Sequence, residues 1–238
     1  MLSTGSSSRA ETSWPVDSRW LWRLYLGVAA KSSPATVRTV QFQDAVLRRR
    51  MVRDFSDEPI ARPVVEQLLA NATRGPSAGF SQGFAFVVLS DPAQRRLFWE
   101  TTSGPEWRGE SESEPLNRAP VVIVPLAHKQ AYLDRYGLPD KAHTPLSREE
   151  HWPAPYWDID TGFAVMLILL TAVDLGLGAL FFGIFQGEKA LMDALGVPGG
   201  YRPIGAIAVG HPTPGERSTP ELPTGRRSMG EVVRWERW

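Results

Sequence analysis

Hydrophobic positions divide the chain into short blocks whose period alternates between that of a helix and that of a strand. Residues 41–50 read as a helix with Phe42, Ala45 and Val46 on one face. A second helix opens around Pro63, well placed in a first turn, and carries the core stripe Val64, Leu68, Leu69 and Ala72 until Gly75 ends it. Phe84–Leu89 is an apolar run of strand length, Pro92–Thr102 a helix with a basic face, and residues 120–127 a buried strand. Residues 162–176 are apolar on every side except at Thr171 and Asp174. A helix of that kind must be surrounded by protein, which predicts a central core helix shared with a second subunit. Asp160 reads as its N-cap, and Leu175-Gly176-Leu177-Gly178 as a sharp exit into a strand over residues 179–185. A short helix over 188–195, closed by Gly196, and a strand over 204–210 follow.

Two stretches, 128–155 and 213–225, carry Pro and charge without a period and read as irregular. Residues 1–38 differ again: a Ser/Thr-rich start, then Trp14, Trp20, Trp22 and Tyr25. Such ends seldom bury enough surface to offset ordering entropy, so they are expected to form a flexible leader rather than an aromatic arm on a partner subunit. Residues 39–238 then form one body. Helices interleaved with few, short strands make it a mixed α+β domain.

Composition narrows the function classes. Lys plus Arg number 26 and Asp plus Glu 26, so no net field draws the chain to nucleic acid or an anionic membrane. The absence of cysteine excludes disulfides, thiolate catalysis and cysteine-ligated metal clusters. The longest apolar stretch, 162–173, is short for a bilayer span, and the run 21–30 is broken by Arg23. The expectation is a soluble, cytoplasmic protein without nucleic-acid or membrane partners. His128, His143, His151 and His211 lack metal-site spacing, so no metal site is assigned.

Four constellations can carry chemistry. Arg48, Arg49, Arg50 and Arg53 crowd guanidinium groups that suit phosphate oxygens, although in isolation a solvated helix end explains them better. Residues 75–82 (GPSAGFSQ) join a helix to a strand with small residues that let backbone approach a flat ligand. The apolar helix with its glycine exit is third. Arg226 and Arg227, after a Pro-rich arm, are a basic pair that can reach a phosphate.

Taken in order, these motifs resemble the nitroreductase family of FMN enzymes over about residues 41–238. Arg49-Arg50-Met51-Val52-Arg53-Asp54-Phe55 stands where that family has Arg-Arg-Ser-x-Arg-x-Phe. Pro76-Ser77-Ala78-Gly79-Phe80-Ser81-Gln82 stands in its Pro-Ser-x-x-Asn-x-Gln loop. The central helix with its Gly-Leu-Gly exit, Phe182-Gly183-Ile184, Leu195-Gly196-Val197-Pro198, Gly210-His211-Pro212 and the terminal basic pair complete the series.

The resemblance implies a central mixed sheet flanked by helices in an intertwined homodimer, with FMN at the interface. It also implies NADH or NADPH as electron donor and a nitro-, quinone- or similar small organic acceptor. Arg49, Arg50 and Arg53 then hold the FMN phosphate and ribityl chain, with Met51 in place of a serine, and Arg226 and Arg227 reach the same phosphate. Pro76, Ser77 and Ala78 run along the ring system, with Phe80 and Gln82 in the same loop, while Gly183 leaves room for it between Phe182 and Ile184. Such an enzyme needs no catalytic triad, because the flavin carries the chemistry, and none is evident. The segment 132–157 is a candidate lid. Phe80 in place of Asn also resembles the flavin-consuming benzimidazole-synthase branch of the superfamily. The alternatives are therefore a flavin-dependent dehydrogenase or oxidase of a small metabolite, a flavin-consuming enzyme, or a flavin-binding module without turnover.

Overall fold

The structure, a computed structural model, describes residues 41–104, 115–215 and 225–238. The chain divides into two units, Met1–Thr39 and Val40–Trp238, and every described residue belongs to the second. The leader expected over 1–38 and most of the Pro-rich stretch after Thr213 lie outside the described residues.

The described body runs α1 (Phe42–Arg48), α2 (Arg62–Ala72), β1 (Phe84–Leu89), α3 (Pro92–Thr102), β2 (Val121–His128), α4 (Lys129–Tyr136), α5 (Tyr156–Asp174), β3 (Gly178–Phe182), α6 (Glu188–Ala194), β4 (Tyr201–Pro203), β5 (Ala206–Gly210) and α7 (Met229–Val232). The sheet has the order β1-β2-β5-β3, with β4 also paired to β2. These strand pairings are antiparallel. The parallel component expected of a mixed sheet is the bridge between Met51 and Ala179 at the β3 edge.

The period of two along a strand sends alternate residues to opposite faces, and helices cover both. Val121 and Ile123 of β2 meet Leu68 and Ala72 of α2 and Ala164, Ile168 and Ala172 of α5. Val122, Val124 and Leu126 meet Phe98 of α3 and Leu191 and Met192 of α6. Strand β1 splits the same way, with Phe86 and Val88 on the α5 side and Val87 and Leu89 on the α3 side. Burying each large apolar side chain contributes about 1.5–3 kcal/mol, which makes β2 the energetic centre of the body.

Between β4 and β5, Ile204 and Gly205 form a bulge. Ile123 pairs with Ile207 and Leu126 with Pro203, so two residues of β2 face three on the other strand. Gly205 sits at φ +147°, and a Cβ there would lie 2.5 Å from the Phe182 carbonyl oxygen. This bulge explains why β3 stops at Phe182 and not at residue 185. Its last partner is Ala206, and the next residue along that strand is the distorted glycine.

Several expectations need correction. Helix α5 begins at Tyr156, just over a full turn before Asp160, so Asp160 lies inside the helix and is not its N-cap. Within one chain this helix carries an exposed apolar stripe, Ile159, Phe163 and Met166, which does not contradict its being shared with a second subunit. It is long and apolar enough by composition to cross a membrane, yet it packs against α2, β2 and β3. In α1 only Ala45 is buried, while Phe42 and Val46 are exposed. Finally, residues 129–136, expected to be irregular, form α4.

Candidate functional site

Helix α1 ends at Arg48, and the chain then extends along the outer edge of β3, where the Val52 amide donates to the Ala179 carbonyl at 3.1 Å. Met51 packs on the α2/α5 side of the sheet, while Val52 is buried with Phe55 and Ala208. Met51 is therefore a packing residue as well as the neighbour of two arginines. Arg49 is half-buried, and its Nη1 is shielded from solvent without a hydrogen-bond partner. Arg53 donates from Nη1 to the Met51 carbonyl at 3.2 Å. Arg50 departs from this pair. Together with Arg48 it lines a cavity of about 310 Å³ against Val173, Leu177 and Pro212, which Arg49, Met51 and Arg53 do not line.

A buried donor left unmade costs about 1–3 kcal/mol, and more when the group is charged. Arg49 Nη1 is thus suited to an anionic acceptor, and a phosphate oxygen satisfies a guanidinium in its planar fork.

The second element is the loop 76–82. Gly79, Phe80 and Gln82 all have positive φ, at 60°, 57° and 49°. For Phe and Gln this region is sterically costly, and such strain persists only where surrounding contacts fix it. Those contacts are visible. The Gln82 amide donates to Ser77 Oγ at 2.6 Å and the Phe80 amide to the Ser77 carbonyl at 2.9 Å. The Ala78 amide donates to Asp160 Oδ2 at 2.8 Å. From α4, Arg135 Nε donates to the Gly79 carbonyl at 2.8 Å, while its other nitrogens grip Asp140. The hydrogen bond from Arg135 holds the Asp140 carboxyl below the usual carboxylate range. The Phe80 ring stands 76 % exposed, pointing away from the core.

Behind the loop, Tyr132 is fully buried and donates its hydroxyl to the same Asp160 oxygen at 2.8 Å. Burial pushes the Tyr132 phenol well above its usual range, and the bond to Asp160 adds to the effect. Trp152 packs edge-on against Tyr132, Tyr136 and Trp157, so the segment expected as a lid is an aromatic cluster rooted on α4 and α5.

The third element follows β3. Gly183 is exposed, and a Cβ there would come within 2.8 Å of the Phe185 ring. Phe182 stacks on Trp99 at 5.6 Å between centroids with an interplanar angle of 9°, and Ile184 packs on the α3/α6 side of the sheet. Of these three residues, Gly183 is the one that leaves its backbone open. Arg226 and Arg227 are exposed in the C-terminal segment, where Arg227 donates to the Glu231 carbonyl at 2.7 Å.

Three residues of this region escape a reading of the sequence: Asp160, Tyr132 and Arg135. The available signal was an acid just ahead of the apolar run 162–173, which local pattern assigns to a cap.

The nitroreductase family model matches residues 46–211. A Bacillus subtilis FMN reductase [NAD(P)H] is 24% identical over 179 residues, covering 73% of this chain and 67% of the relative. A Thermus thermophilus NADH dehydrogenase is 27% identical over 220 residues, covering 84% of this chain and 98% of the relative. Among solved structures, a nitroreductase family protein from Streptococcus pneumoniae superposes with TM-score 0.64 at 19% identity, covering 82% of this chain and all of that one. A nitroreductase-type protein from Desulfovibrio desulfuricans, solved in complex with FMN, gives TM-score 0.61 at 22% identity over 84% of this chain and 98% of that one. At these identities the solved structures share the fold.

Proposed function

Because the chain belongs to the nitroreductase family, we propose that it is an FMN-dependent oxidoreductase taking hydride from NADH or NADPH and passing it to a nitro-, quinone- or similar small organic acceptor. The observation that carries this reading is the buried, unpartnered Nη1 of Arg49 at the edge of the sheet. The residues present fit FMN: an arginine nitrogen without an acceptor, a second arginine at residue 53, and an open glycine backbone at residue 183.

When bound, FMN supplies two-electron hydride chemistry that no side chain here provides. The protein's part is binding and orientation. Arg49 and Arg53 hold the phosphate and ribityl chain, with Arg50, Arg226 and Arg227 as further cations around it. Residues 76–78 supply a shaped backbone edge, with Phe80 and Gln82 beyond it. Gly183 leaves its own stretch of backbone free of a side chain.

The exposed stripe Ile159, Phe163 and Met166 supports a homodimer, since a second copy covers apolar surface that α2 and the sheet leave open. A cytoplasmic location fits a reaction that consumes a reduced nicotinamide.

Oxidation of NADH or NADPH by the purified, FMN-loaded protein tests the reading. Consumption that rises with added quinone or nitroaromatic acceptor supports it. Peroxide release with a metabolite and no nicotinamide supports a dehydrogenase or oxidase instead. The Gly79-Phe80-Ser81-Gln82 sequence, which resembles the flavin-consuming branch, supports that alternative as second reading, and loss of the flavin spectrum without an acceptor identifies it.

A further inference from the structure

Among the described residues, Asp160 stands out as a buried carboxylate that the flavin reading does not use. It is 3% exposed, sits inside α5, and presents a single oxygen, Oδ2, to two donors from different parts of the chain. One is the Ala78 amide in the loop 76–82; the other is the Tyr132 hydroxyl on α4. The loop needs such an anchor. Two of its non-glycine residues, Phe80 and Gln82, hold left-handed backbone, and Phe80 gains no burial there to offset the strain. The remaining restraints come from within the loop, through Ser77 and Ser81, or from α4, through Tyr132 at the Ser77 hydroxyl and Arg135 at the Gly79 carbonyl. Asp160 is the contact that ties the loop's backbone to the core helix.

We propose that Asp160 is a positioning residue, whose carboxylate oxygen fixes the loop 76–82 in its bound-ready shape through the Ala78 amide, with Tyr132 holding that oxygen in place. The proposal rests on the flavin reading for the consequence of the clamp, and on geometry alone for the clamp itself. A loop released from Asp160 relaxes toward ordinary backbone angles, and the edge it offers to the ring system is lost. The geometry also sets a condition on substitution. Since both donors share Oδ2, an asparagine with its carbonyl oxygen in that place accepts both bonds, whereas an alanine accepts neither.

The test compares the full chain with Asp160→Asn, Asp160→Ala and Tyr132→Phe, by amide hydrogen exchange over residues 77–82 and by FMN titration. Losing both bonds should speed loop exchange and weaken FMN binding by about tenfold or more, while exchange in β2 holds steady. Asp160→Asn should restore both to within roughly threefold of the original. Tyr132→Phe, which keeps the ring and removes the hydroxyl's bonds to Asp160 and to Ser77, provides a readout if the alanine variant fails to fold. It should speed loop exchange measurably. Unchanged loop exchange in Asp160→Ala or in Tyr132→Phe overturns the proposal. So does an asparagine variant as impaired as the alanine, because position would then not be what the carboxylate supplies. An original protein that binds no FMN removes the functional reading, while loop exchange still decides the clamp.

Discussion

The Tyr132 hydroxyl and Asp160 Oδ2 meet at 2.8 Å, so a buried phenol of α4 and a buried carboxylate of α5 close the back of the loop 76–82. Burial first, and the bond to Asp160 second, raise the Tyr132 pKa above its ordinary 10.0. An acid whose folded pKa is raised favours folding in its protonated form. That stabilisation is fully present below about pH 10 and is lost as pH rises toward the folded value. The difference in unfolding free energy between the protein and Tyr132→Phe should therefore hold steady up to about pH 10 and shrink above it. Urea unfolding on both sides of that pH checks it. A constant difference contradicts the buried hydroxyl.

Phe80 and Gly79 are adjacent left-handed positions with opposite expected responses. Asparagine tolerates φ near +57° better than phenylalanine, and the Phe80 ring is exposed, so Phe80→Asn should stabilise by about 0.5–1 kcal/mol. Gly79→Ala should cost about 1–3 kcal/mol, because its Cβ meets the Tyr136 ring at 2.7 Å and its φ is positive. Denaturant midpoints of the two variants decide. If the two shift the same way, the loop does not hold these angles.

Much of the architecture was legible because its signals are local. The bounds of β1 and α3 follow from an apolar run and from Pro92 after Asp91, whose side chain caps the helix by accepting from Ala93 and Gln94. The core stripe of α2 was legible in part: of Val64, Leu68, Leu69 and Ala72, Leu68 and Ala72 are buried and the other two partly so, while the buried Val65 was not singled out. Helix α4 was not legible, since Tyr132 is the one buried residue of a short segment in which four of eight residues are charged or amide. Nor was the role of Asp160, whose partners lie 82 and 28 residues away in the chain. Arg48 to Arg53 were readable as a cation cluster. Which of them share a side depends on the bridge to Ala179, a contact between distant segments.

Arg49 and Arg96 separate a specific site from general charge. Arg49→Ala should weaken FMN binding by about 1.5–3 kcal/mol for the charge-assisted contact removed. Arg96, on the exposed side of α3, should change it little when replaced by alanine. Without FMN the order reverses in part: removing the unpartnered Nη1 of Arg49 should not lower thermal stability. Equal loss of affinity at both positions contradicts a phosphate site at Arg49.

The bulge glycine supports the open wall after β3. Gly205→Ala brings a methyl against the Phe182 carbonyl oxygen at φ +147°, and should cost about 1–3 kcal/mol. Thermal unfolding measures it, and a neutral substitution contradicts the bulge.

Met166 lies in the exposed apolar stripe of α5. Met166→Asp should leave the body folded and shift sedimentation from dimer to monomer, since a charge in a desolvated interface lacks a partner. An original protein that sediments as a monomer contradicts the homodimer.

The central claim is tested most directly by anaerobic titration of the FMN-loaded protein with NADH and with NADPH, followed at the visible flavin band. The account predicts that one of them bleaches the band at about one equivalent per flavin, and that a quinone then restores it. A band that neither nicotinamide bleaches, or a protein that retains no FMN, contradicts the account.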